Sequence, residues 1–186
     1  MALLEWILGG TVIAAIILLF VYYYNKIVIS SKRIDNAFSQ IDVQLKKRAD
    51  LVPNLIETVK GYVKHEREIM DSVTKARERM ISGSMKARLK ADGEFTKALK
   101  SIFAIAENYP QLKASENFKT LQEQLEGIES KIAFSRQFYN DSILDFNVAI
   151  TTVPGKWFAS FFSLAKKESE YLETAPEERK PVKVKF

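Results

Sequence analysis

Between Trp6 and Asn25 the chain reads WILGGTVIAAIILLFVYYYN, about twenty residues without a charge. A helix of that length, at ~1.5 Å per residue, measures ~30 Å, the thickness of a bilayer's hydrocarbon core. Trp6 at one end and Tyr22, Tyr23 and Tyr24 at the other stand where interfacial aromatics belong. A helix buried in a soluble core is the plain alternative. A cleaved signal peptide fits poorly: Glu5 occupies the end that should be basic, the apolar run is too long, and no small-x-small site follows it. Residues 1–25 are therefore expected to be an uncleaved transmembrane anchor. Lys26, Lys32 and Arg33 follow the span and no Lys or Arg precedes it. The positive-inside rule then predicts a single-pass protein with its amino terminus outside and residues 26–186 in the cytoplasm.

Beyond the anchor the apolar residues keep helical time. Ile34, Phe38, Ile41, Leu45, Val52, Leu55 and Val59 recur in steps of three, four and seven. A shorter stripe runs through Ile69, Val73, Ala76 and Met80, and SGSMKARLKADG at 82–93 reads as a break. Phe95, Leu99, Ile102, Phe103 and Ala106 form a third face, which stops at Tyr109-Pro110 because proline disfavours helix in the residue before it. Ser115 is a good N-cap for a fourth helix. Its seam from Phe118 through Leu125, Ile132, Tyr139 and Phe146 to Ile150 comes close to a coiled-coil heptad.

The fold class is all-α: an N-terminal transmembrane helix continuing into an antiparallel bundle of about four long helices. The first soluble helix should climb roughly 52 Å from the bilayer and the fourth descend roughly 54 Å. That returns PGKWFASFFSLAKK (154–167) to the lipid surface. Trp157, Phe158, Phe161 and Phe162 there, flanked by lysines, either dip into the interface or close the bottom of the bundle. The expected organisation is an anchor (1–25), a cytoplasmic bundle (26–153), an amphipathic aromatic segment (154–173) and a disordered tail (174–186).

Chemistry is hard to find. The chain has no cysteine and one histidine, His65, which excludes the usual zinc sites and thiol chemistry. Glu123, Glu126 and Glu129 fall off the apolar seam, no Glu-x-x-His pair occurs, and no glycine-rich phosphate loop is present. No cofactor, metal or catalytic group is expected, and the chain reads as no enzyme. The net charge of +5 is spread among interleaved acids and bases, which argues against a nucleic-acid partner.

One stretch resists this bland reading. In LKKRADLVPNLIETVKGY, residues 45–62, Arg48, Asp50, Pro53 and Asn54 interrupt an apolar face. Pro53 should kink the helix or begin a new one, with Asp50 as its cap. Arg48 sits at a seam position and, if buried, needs a carboxylate. Antiparallel pairing offers Asp141 or Asp145. A hinge stapled by an interhelical polar network is the favoured reading, and a ligand site between helices is the rival.

NAFSQIDVQLKKRADLVPNLIETVKGYVKHE (36–66), YPQLKASENFKTLQEQL (109–125) and IAFSRQFYNDSILDFNVAI (132–150) closely resemble the LemA family of bacterial membrane proteins. The family's recurring elements fall on Arg48, Ala49, Asp50, Leu51, Pro53 and Asn54, on Tyr109-Pro110, and on Arg136, Gln137, Tyr139, Asn140 and Asp141. The resemblance implies an antiparallel helical bundle without an accepted enzymatic activity. It also implies association with a membrane protease or a TPM-domain membrane protein, and a relative in magnetosome membranes. It adds Arg136, Tyr139, Asn140 and Asp141 to the polar network.

Three functions compete. The first is a membrane-anchored scaffold or adaptor whose partners are the lipid bilayer, copies of itself and other membrane proteins. The second is a large homo-oligomeric assembly that shapes the membrane. The third is an enzyme or small-molecule sensor built on Arg48, Asp50, Tyr139 and Asp141.

Overall fold

A computed structural model describes residues 2–63, 67–162, 164, 171 and 172. The described residues form six helices and no strand. They are α1 (Ala2–Lys60), α2 (Arg67–Met80), α3 (Met85–Ala106), α4 (Pro110–Ala114), α5 (Glu116–Thr151) and α6 (Gly155–Phe161). The fold class is all-α, as the periodicity predicts. His65 and the expected disordered tail at 174–186 lie outside the described residues.

Two boundaries differ from the sequence reading. The break expected over 82–93 is confined to the few residues before Met85. Gly83 takes the turn alone at φ +87°, and the Ser84 hydroxyl accepts a hydrogen bond from the Ala87 N–H at 3.3 Å. Gly93 therefore sits inside a helix. An interior glycine costs about 1 kcal/mol, which burial of Leu89, Ala91 and Phe95 on the same helix outweighs. The second difference is α1 itself: it runs unbroken through Pro53, and no new helix begins there.

The chain forms two compact units. The first comprises residues 1–38 with 137–171. Ile27, Ile34 and Ala37 of α1 are buried there, as are Tyr139, Ile143, Phe146 and Ile150 of α5. Phe38 lies beside Tyr139 at 6.3 Å while Tyr23 stacks on Phe158 at 5.6 Å, so the two chain segments run antiparallel. At the corner between α5 and α6, a Cβ on Gly155 would run into the backbone carbonyl of Ala149. Only glycine allows that close return. Among the described residues nothing covers the apolar start of α1: Trp6 is 81% exposed and Leu18 70%.

The second unit comprises residues 39–136 with 172–186. Its core gathers Val52, Leu55 and Val59 of α1, Val73 and Met80 of α2, Phe95, Leu99 and Ile102 of α3, Leu112 of α4, and Phe118 and Leu125 of α5. Full burial of such side chains stabilises by about 1.5–3 kcal/mol each. Into the middle of this apolar packing the chain inserts Arg48.

Candidate functional site

Arg48 is fully buried, although an isolated charge in such surroundings would be costly. Its neighbours explain why it stays. The guanidinium Nη1 donates to Asp92 Oδ1 of α3 at 2.5 Å, and Nη2 donates to Glu129 Oε2 of α5 at 3.1 Å. The guanidinium also lies over the Phe95 ring, 5.1 Å from its centre, a cation–π placement. One planar fork thus ties α1, α3 and α5 together. Its Nε–H finds no partner among the described residues. Burial holds the Asp92 carboxyl above its ordinary value of 3.8 against the opposing pull of Arg48, while Glu129 pushes it further up and Arg136 pulls it down.

This corrects the expected pairing. Asp141 and Asp145 do not meet Arg48; both are exposed on α5 in the first unit. In the sequence Gly93 hides Asp92 by suggesting a loop. A signal is present nevertheless: Leu89, Asp92, Phe95 and Leu99 keep the three–four spacing of a single face. Glu129 stands four residues after Leu125 and three before Ile132, at the edge of the seam, and its side chain remains 48% exposed.

The rest of the polar stretch separates. Asp50 caps nothing; it lies mid-helix, exposed, and pairs with Lys46 at 3.0 Å. Pro53 and Asn54 are also exposed. Pro53 lacks the N–H that would bond the Ala49 carbonyl four residues back, and Ala49 is buried. Arg77 of α2 supplies the missing donor, with its Nε 3.0 Å from the Ala49 oxygen. Sequence reasoning missed Arg77, because nothing local marks which side chain will reach a carbonyl freed by a proline. In the first unit Tyr139 is buried and Asp141 exposed, with Asn140 half-buried between them. Pro53 and Arg77 line one open groove with Val52, Ile56 and Thr74, and Asp50 lines another with Lys47, Glu123 and Lys131.

A second cluster lies on the first unit. Phe158 of α6 packs face to face on Tyr23 and edge-on against Phe20 at 5.4 Å; Phe162 rests on Phe20 and on Tyr24 at 5.6 Å. Lys26 Nζ lies 5.9 Å from the Tyr23 ring centre. Phe158 and Phe162 thus meet the end of the apolar span, whereas Trp157 and Phe161 stay largely exposed. Sequence reasoning poses interface and bundle floor as alternatives, and the aromatics of α6 divide between inward and outward faces.

The chemistry these clusters offer is cohesion. Among the described residues no group of three His, Cys, Asp or Glu side chains is placed to hold a metal ion. A model of the LemA family matches residues 37–186. The chain is also similar to the magnetosome protein MamQ of Magnetospirillum gryphiswaldense, 26% identical over 77% of this chain and 62% of that one. The chain thus spans less than two thirds of that relative's length. MamQ 2 and MamQ 1 of Paramagnetospirillum magneticum are each 24% identical over 85% of this chain and 67% of theirs.

Proposed function

The chain belongs to the LemA family, and on that premise we propose that it is a non-enzymatic, membrane-anchored scaffold that self-associates and organises the membrane or membrane proteins around it. One observation carries this reading. The apolar run at the start of α1 is uncovered, yet the same helix continues without a break to Lys60 and there enters a packed helical core. Water does not tolerate such a run, and lipid accommodates it. The buried ions support a structural rather than reactive role, since the two bonded nitrogens of Arg48 are spent on its own helices. The naming of relatives as magnetosome proteins supports a membrane setting. Lys26, Lys32 and Arg33 after the span favour a cytoplasmic location for residues 26–186. A membrane protease or a TPM-domain membrane protein is a candidate partner.

The test is the mass of the full chain extracted in gentle detergent, read by mass photometry and negative-stain microscopy. Particles of several copies support the scaffold reading. A single copy per particle, with no cross-linked multiple in its own membrane, overturns self-association.

Exposure of Trp157 and Phe161 beside the end of the span favours a second reading, in which many copies shape the bilayer by wedging one leaflet. Overexpression should then produce tubules or vesicles, and Trp157→Ser with Phe161→Ser should abolish them. Unchanged membrane shape with an intact fold would sink it.

A further inference from the structure

Self-association needs a surface, and the first unit carries two that answer each other. On α5, Phe138, Asp141, Leu144, Asp145 and Val148 follow at threes and fours on the side away from the buried stripe. Leu144 is 52% exposed and Val148 46%. On α1 the exposed positions Ile29, Lys32, Arg33 and Asn36 repeat the same spacing. Each stripe is apolar and charged at once, acidic on α5 and basic on α1. Asp141, Asp145 and Arg33 make no ion pair among the described residues. Lys32 holds Asp35 at 3.3 Å, an exposed pair of the kind that contributes little.

The membrane sets the register. Phe38 lies beside Tyr139 and the segments run antiparallel with equal rise per residue. Counting outward from that contact puts Ile29 level with Val148, Arg33 level with Leu144 and Asp145, and Asn36 level with Asp141. Copies held by the same span in one bilayer share these levels. A neighbour approaching sideways therefore presents valine to isoleucine, carboxylate to guanidinium and carboxylate to amide.

We propose that the acidic face of α5 docks on the basic face of α1 of a second copy in the same membrane, head to tail. This rests on the scaffold reading above and names the surface it uses. Pairing α5 with α5 would oppose carboxylates, and pairing α1 with α1 would oppose cations, so both symmetric pairings are disfavoured by like charge. A head-to-tail contact leaves one face open at each end and grows into a ring or a row.

The experiment uses the full chain in gentle detergent, with mass photometry of two charge-reversed variants. Asp141→Lys with Asp145→Lys reverses one face; Lys32→Glu with Arg33→Glu reverses the other. Each variant alone should lose assembled particles by roughly tenfold or more, because the faces then carry like charge. Their equimolar mixture should reassemble, since each reversed face meets the reversed face of the other variant. That recovery also shows that both variants are folded. Variants that assemble as well as the parent chain, or a mixture that stays in single copies, overturn the interface. Parent particles that persist whatever the charges overturn this surface alone, whereas a parent chain in single copies overturns the scaffold reading with it.

Discussion

Arg48 owes its burial to two carboxylates from different helices, and the pairing has consequences at the residue scale. Removing one partner of a buried pair leaves the other uncompensated. Arg48→Met should therefore destabilise the protein by about 3 kcal/mol. Arg48→Met combined with Asp92→Leu should cost clearly less, since no buried charge is then orphaned; thermal unfolding of the three chains measures the difference. Asp92 also predicts a pH dependence. Its folded value lies above the unfolded 3.8, so between the two the folded state binds more protons than the unfolded. The stability Asp92 contributes is complete below 3.8 and is lost as the pH rises through the folded value. The stability of the parent chain relative to Asp92→Asn should fall across that interval. A flat difference would mean that burial does not govern this carboxyl.

At the scale of the element, α1 is a helix that continues through a proline. The repair is tertiary: Arg77 of α2 donates to the Ala49 carbonyl that Pro53 leaves without its N–H. Arg77→Ala should cost about 1–2 kcal/mol in the parent chain, the penalty for an unsatisfied buried acceptor. In a Pro53→Ala background the residue 53 N–H returns to the Ala49 oxygen, and the same substitution should cost less than half as much. A double-mutant cycle in chemical denaturation measures this coupling. Equal costs in both backgrounds would show that Arg77 acts elsewhere. The local chemistry of Pro53 is legible in the chain, including which carbonyl it orphans. The fate of that carbonyl is not, because α2 reaches it from 28 residues away.

At the scale of the molecule, the apolar stretch at the start of α1 is long enough to cross a bilayer. Ile13 is 61% exposed on the apolar stretch of α1. Ile13→Arg adds roughly 3 kcal/mol to the cost of insertion at the centre of a span. The variant should leave the membrane fraction, or remain in it only weakly, in a flotation assay against lipid vesicles. Flotation equal to that of the parent chain would mean that the run does not cross a bilayer.

The chain by itself determined whatever depends on neighbours three or four residues away. The all-α class, the apolar run at the start of α1 and the long stripe of α5 after Ser115 are all of that kind. Tertiary structure decided the ion pairs of the buried Arg48. Asp92, Asp141 and Asp145 are the same residue type, and each stands close in sequence to a buried ring: Asp92 to Phe95, Asp141 to Tyr139 and Asp145 to Phe146. Helical spacing could set Asp92 on the apolar face of its own helix, but it could not name the charge opposite. What chose was the packing of α3 beside α1, which buried Asp92 against Arg48, while the other two carboxylates stand in solvent. A charge selects its partner by distance in space, and that distance exists only once the helices have packed.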